Sequence, residues 1–265
     1  TISGYSKTNK VTIGLEGHGR EELESESDTD QTTDTTHTVG WFTTHYPVFL
    51  DLKEVKEESD LIKSIKEQLR KIPDKGIGYG VLKYINKEKV LQSSKDPDII
   101  FNYLGQLDNV LGNSKWFTSA TESAGSSSSG EYVQSNKISV NAIVQNNELI
   151  LNWSYSKNHF KNETIEKIAN TFKANLESLI VHCIEKDKTG KVFTPSDYGL
   201  GKEISYSELD NFLKEEYKGK PRSESIEGIY RLSGLQQGML FHGLYESGAD
   251  AYIRQLGCEV MSIDM

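Results

Sequence analysis

Hydrophobic and polar positions alternate in "KVTIGL" (10–15), with Val11, Ile13 and Leu15 on one side. That period predicts a strand and puts Glu16 on the opposite face, with Thr12 and Gly14. "VGWFTTHYPVFLDL" (39–52) is aromatic and β-branched, and Pro47 inside it predicts a strand with an irregular segment. "SDLIKSIKEQLRKIP" (59–73) sets Leu61, Ile62, Ile65, Leu69 and Ile72 at helical spacing, with Ser59 or Asp60 as cap and Pro73 as stop. "DKGIGYG" (74–80) reads as a glycine loop before a short helix at "VLKYI", and "DIIFNYLG" (98–105) as a buried strand.

"KISVNAIVQNNELILNWSYS" (137–156) alternates twice around a turn at Gln145–Asn147, which predicts a β-hairpin. One long amphipathic helix should follow from Asn162, burying Ile165, Ile168, Phe172, Leu176, Leu179 and Cys183. "ESESDTDQTTDTTHT" (24–38) and "SAGSSSSGE" (123–131) read as loops. Residues 186–225 hold Pro, Gly, Lys and Ser with little core, as in a connector with a short helix at "YSELDNFL". A further helix is expected after Ser233, its cap, with Leu235, Met239 and Leu240 inward. Interleaved strands and helices point to a mixed α/β layer fold.

Composition adds limits. With 35% hydrophobic and 26% charged residues, the 265-residue chain can form a sizeable core. A net charge of -9 suggests no general affinity for nucleic acid or anionic membrane. Two cysteines, Cys183 and Cys258, make no disulfide framework, so a cytoplasmic setting is expected. Both ends look cut, as in a segment of a longer polypeptide. The histidines show no metal-ligand spacing, and "GIGYG" lacks the spacing of a phosphate loop.

"EGHGRE" (16–21) is the stretch richest in chemistry. It fits either a solvated charged turn or a site. Gly17 and Gly19 would admit a close neighbour, and burial in a cleft would suit the Glu16 carboxyl to proton transfer. Arg20 could orient that carboxyl or simply pair with it. Asn102 and Tyr103, in "FNYLG", would need hydrogen-bond partners if buried.

Taken in order, "LEGHGRE", "TVGWFTTHYPV", "IPDKGIGYG" and "FNYLGQLD" resemble the C-terminal lobe of epimerization domains of nonribosomal peptide synthetases, over about residues 1–190. "TPSDY" (194–198) resembles the connector that follows such domains, giving a linker over 191–225. "YRLSGLQQGMLFHGLYES" (230–247) resembles the opening of a condensation domain, giving a truncated start over 226–265. The fold so implied is chloramphenicol-acetyltransferase-like: two lobes facing across a tunnel, each a mixed sheet with flanking helices.

The implied reaction inverts the α-carbon of an L-aminoacyl or peptidyl thioester to the D form. No cofactor binds directly; the substrate rides on the 4'-phosphopantetheine arm of a carrier protein. By resemblance Glu16 is one of two acid/base groups, with Arg20, Asn102 and Tyr103 as orienters or donors. His18, Gly17, Gly19, Trp41 and Tyr79 are the implied substrate-binding positions. The second base is implied to be a histidine of an H-H-x-x-x-D motif, which this sequence lacks, so the chain alone is expected to be inactive. The family usually has Arg where His37 stands. Implied partners are the carrier protein, the N-terminal lobe and a downstream condensation domain. Two alternatives stay open: condensation-type acyl transfer on the same fold, and a lobe that only docks a carrier.

Overall fold

A computed structural model describes residues 1–21, 34–53, 55–107, 120, 122–123, 125, 129, 131–133, 135–189, 192–200 and 204–245. They fall into two units, Thr1–Phe193 and Thr194–Met265. The first opens with a short helix, α1 (Ile2–Ser6), and is built on one five-stranded sheet. Its strands are β1 (Lys10–Gly17), β2 (Thr44–Asp51), β3 (Ile99–Gln106), β4 (Ile138–Gln145) and β5 (Glu148–Tyr155), in spatial order β2-β1-β3-β4-β5. The central strands β1, β3 and β4 run parallel to one another, and β2 and β5 close the two edges antiparallel. Pro47 is tolerated in β2 because an edge strand needs only one partner.

Alternation sends one residue set of every strand to a single apolar face. Ile138 and Val140 meet Ile165 and Ile168 of helix α5 (Asn162–Thr189) there, with Phe101, Leu151 and Trp153 packed around them. Helix α5 carries the expected stripe, and Phe172 meets Trp153 edge to face at 5.9 Å. The stripe then departs from expectation. Cys183 is exposed, and His182 takes the inward place, its Nε2 2.9 Å from the Ser59 hydroxyl of helix α2 (Glu58–Arg70). That bond also explains why Ser59 does not cap α2: its hydroxyl is engaged elsewhere, and Glu57 is the N-cap without a side-chain bond. Gln68 ties α2 to the end of β2 through both the N–H and the carbonyl of Asp51. The hairpin turn uses Asn146 and Asn147 at φ 54° and 59°, the left-handed pair that matches strand twist.

The glycine stretch 74–80 is a loop only in its first part, where Asp74, Lys75 and Gly76 take left-handed φ of 44°, 49° and 82°. A 3-10 turn (Pro73–Gly76) leads into α3 (Gly78–Gly80), and the chain continues as a π-helix over Val81–Ile85, followed by α4 (Lys89–Gln92). Local pattern could not foretell this, because the turn is held by tertiary packing. Gly76 has φ 82°, and a Cβ there would lie 2.3 Å from the Tyr46 ring. β3 is also less buried than expected: Tyr103 and Leu104 are exposed. Most of the serine-rich stretch, and the acidic stretch up to residue 33, lie outside the described residues.

The second unit has more core than its composition suggests. Leu200, and Leu209 and Leu213 of helix α6 (Tyr206–Lys214), are buried, as are Thr194 and Pro195. A small hairpin follows, β6 (Glu216–Tyr217) with β7 (Lys220–Pro221). Helix α6 starts on a capping box: the Ser205 hydroxyl accepts from the Glu208 N–H at 3.2 Å, and the Glu208 carboxylate accepts from the Ser205 N–H at 2.8 Å. The Ser205 N–H and hydroxyl, both donating to it, hold the Glu208 carboxyl below the usual carboxylate range. A carboxyl lowered on folding stabilises above its unfolded value, and that support is lost as pH falls through the folded one. Ser205→Ala is expected to destabilise this unit by ~1 kcal/mol near neutral pH through loss of the cap, with the difference shrinking as acid protonates the Glu208 carboxyl. Urea unfolding at several pH values checks it. Helix α7 (Gly234–Tyr245) has the expected cap at Ser233, whose hydroxyl accepts from the Gln236 N–H. Leu235, Met239 and Leu240, expected inward, are exposed, because nothing in the described chain covers that face.

Candidate active site

Strand pairing brings the chemistry of "EGHGRE" against other strands. Glu16 stands directly opposite His45 across the β1–β2 pair. The parallel pairing Gly14–Ile100 and Leu15–Phe101, continued by one residue, sets Glu16 level with Asn102. Paired residues project to the same side of a sheet. Glu16, His45 and Asn102 therefore share the face turned away from the core. Gly14 lies on that face too, and the His45 ring occupies the space a side chain there would need: a Cβ on Gly14 would lie 2.7 Å from Nε2. Glu16 is exposed, not buried. Among the described residues it has no ion-pair partner.

The turn after Glu16 is held by specific contacts. Gly19 has φ 67°, and a Cβ there would fall 1.6 Å from the Phe42 carbonyl oxygen. Only glycine fits that approach. His18 Nδ1 accepts the Arg20 N–H at 3.0 Å, which leaves the Nε2 proton to face Glu21 Oε1 at 2.9 Å. The other oxygen of Glu21 meets Lys75 Nζ at 2.7 Å, linking the turn to the segment after α2. Arg20 donates to the Thr35 and Thr38 carbonyls and stacks on the Phe42 ring at 4.1 Å. Its guanidinium thus holds the returning loop that leads into β2, rather than pairing with Glu16. Arg20→Lys keeps the charge but loses the planar fork. It is expected to destabilise the first unit by ~1–2 kcal/mol and to speed proteolysis in 34–43, which limited digestion checks.

The other expected site positions lie elsewhere. Tyr103 follows Asn102 in one strand, so it projects to the opposite face, opposite Ala142. It is 56% exposed. Just beyond it the β3–β4 register shifts, with Gly105 at φ 82°. Trp41, in the loop before β2, is 91% exposed. Gly17 packs closely, with Thr44 Oγ1 3.0 Å from where a Cβ would sit.

Tyr79 lines a cavity of about 300 Å³ beside the outer edge of β2, together with Thr44, His45, Ile77, Tyr84 and Asp96. Lys83 is buried against Asp96, one of the lining residues (Nζ–Oδ1 2.7 Å), with its Nζ 5.6 Å from the ring centres of Tyr79 and Tyr84. The hydrogen bond to Asp96 holds the Lys83 ammonium well above the usual lysine range, against the effect of burial. Burial, with help from Glu21, likewise raises the Tyr46 hydroxyl above its ordinary value. His45 is the residue that sequence reasoning placed in an aromatic run and not at the site. Its signal is the β1–β2 register, which alternation within one strand does not supply. Among the described residues no cluster of His, Cys, Asp and Glu could hold a metal ion, and no helix is long and apolar enough to cross a membrane.

Comparison with known proteins gives consistent matches. The family model described as condensation domain matches residues 1–198. Bacitracin synthase 3 of Bacillus licheniformis is 42% identical over 247 residues, 93% of this chain and 4% of the synthase. Surfactin synthase subunit 2 of Bacillus subtilis is 40% identical over 198 residues, 75% of this chain and 5% of that protein. The chain thus spans a few per cent of the length of these curated relatives. Among solved structures, the epimerization domain from the third module of tyrocidine synthetase B is similar with a TM-score of 0.59 and 34% identity, over 69% of this chain and 40% of that one.

Proposed function

We propose that this chain, which belongs to the condensation-domain family, carries the C-terminal lobe of an epimerization domain within a nonribosomal peptide synthetase. The observation that carries this reading is the register that sets Glu16 level with Asn102 on the sheet face turned away from the core. Likeness to the tyrocidine synthetase epimerization domain supports it. Residues 191–225 then serve as a connector, and 226–265 open a condensation domain fed with the product. The partners in this reading are a carrier protein with its phosphopantetheine arm, an N-terminal lobe and that downstream domain, all in the cytoplasm.

The chemistry needs little from the chain, but needs it in place. The α-proton beside a thioester is weakly acidic. A base takes it on one face, its bonding pair moves into the thioester carbonyl, and an acid returns a proton to the other face. Glu16 is one of those two groups. The other is a histidine of the opposing lobe. Asn102, on the same face, can donate its amide N–H to the oxygen that carries charge in the enolate. Arg20 acts as a positioning residue through the loop it holds. The absence of core around Glu16 fits a site completed from across a tunnel.

The test is deuterium entry at the α-carbon of a loaded carrier in heavy water, using the polypeptide extended upstream to include both lobes. Exchange with inversion is expected. A parent that forms a peptide bond without exchange would instead establish condensation-type acyl transfer, the reading favoured by the family model's own description. Neither reaction, with carrier binding retained, would leave a docking lobe.

A further inference from the structure

The row that begins at Glu16 does not stop at β3. Asn102 pairs with Asn141 of β4, and Asn141 pairs with Asn152 of β5. Three carboxamides therefore stand in register on the face that carries Glu16, one on each of three adjacent strands. At about 4.8 Å between strands, Asn102 to Asn152 spans about 10 Å, and the row from β1 about 14 Å. The rows on either side of it bring Ile100 beside Ser139 and Ser154, and Ile143 opposite Ile150.

Asparagine is depleted in strands, because it packs poorly on a pleated surface and competes for the backbone. Three in one row run against sheet stability. Nor do they bond one another or the backbone: among the described residues none of the three side-chain amides has a hydrogen-bond partner. Asn102 and Asn141 are nonetheless half-buried, and Asn152 is exposed. The row is a set of donors and acceptors without partners among the described residues, aligned with the proposed acid/base group.

We infer that Asn102, Asn141 and Asn152 form a binding lane for the amide groups of the thioester-linked chain on which Glu16 acts. This rests on the reading of Glu16 given above. A carboxamide accepts from a secondary amide N–H through its oxygen and donates to an amide C=O through its nitrogen, so the two pair in both senses. An extended chain advances about 3.3–3.6 Å per residue, so a lane of about 10 Å matches about three residues of amide-bearing chain. Two parts of the substrate have that chemistry: the backbone of a peptidyl group and the amides of the pantetheine arm.

The experiment uses the two-lobed polypeptide with Asn141→Thr, Asn152→Thr and the pair together. Threonine suits a strand better than asparagine, so the melting temperature should hold or rise. Binding is measured by calorimetry with two probes: pantetheine, and its amide with acetyl-dialanine. The double variant should bind the second probe at least fivefold more weakly, and should raise KM for inversion by a similar factor with kcat little changed. A merely structural role would lower the melting temperature and leave KM alone. Equal loss on both probes assigns the lane to the arm, and loss on the dialanyl probe alone assigns it to the peptide; either supports the lane. Parent-like binding of both probes by the double variant overturns it. A parent that binds in an asparagine-dependent way yet never inverts its substrate would keep the lane and discard the epimerase reading.

Discussion

Glu16→Gln is expected to lower inversion by about 10²–10⁴-fold, the usual contribution of a positioned acid/base group. The substitution keeps size and hydrogen-bonding shape and removes only the ability to take and give a proton. Glu16 is exposed and, among the described residues, unpaired, so the fold should not notice; stability should stay within about 0.5 kcal/mol of the parent. That separation is what makes the variant informative. Following deuterium entry and chirality together divides the roles further. If Glu16 is the base for the L-substrate, exchange from that side fails. If it returns the proton, exchange from the L-side can persist while inversion stops. A variant equal to the parent in both would reduce "EGHGRE" to a charged turn. A docking lobe would show the same indifference, with carrier affinity unchanged.

Gly19→Ala should cost ~3 kcal/mol or more of stability in the first unit, for two reasons that add. The left-handed backbone, φ 67°, disfavours any side chain, and a Cβ would fall 1.6 Å from the Phe42 carbonyl oxygen. The backbone must move, and the Arg20 bonds to Thr35 and Thr38 move with it. Gly78→Ala is the control. A Cβ there meets nothing within 4 Å, and Gly78 sits in a helical turn. It should stabilise by up to ~1 kcal/mol. Urea unfolding of the two variants beside the parent decides it. If Gly19→Ala unfolds with Gly78→Ala, the close approach of the turn to Phe42 is not what holds the end of β1.

How much of this was legible depends on the range of the interaction. Alternation is local, so the strands 10–17, 138–145 and 148–155, the Asn146–Asn147 turn and the face carrying Glu16 all follow from period and turn chemistry. The caps at Ser205 and Ser233 are equally local. The Ser59 cap and the Cys183 end of the α5 stripe failed where another element competed, whereas the α7 stripe failed because nothing in the described chain covers it. Ser59 was taken by His182, and that contact drew His182, not Cys183, to the inner side of α5. The 74–80 glycines were read as a loop because nothing in their neighbours announces the Tyr46 ring that Gly76 must clear.

The site divides in the same way. By itself the sequence determined that Glu16 leaves the apolar face, that Gly17 and Gly19 admit a close neighbour, and that Asn102 and Tyr103 are neighbours in one strand. Only the tertiary structure decided that Asn102 stands beside Glu16 while Tyr103 turns away, that Arg20 serves the loop, and that His45, Asn141 and Asn152 extend the row. The physical reason is register. A strand's own pattern says which face a residue takes, but which residue of a distant strand lies level with it is set by pairing across the sheet, and a shift of one residue would send every one of these side chains to the other face.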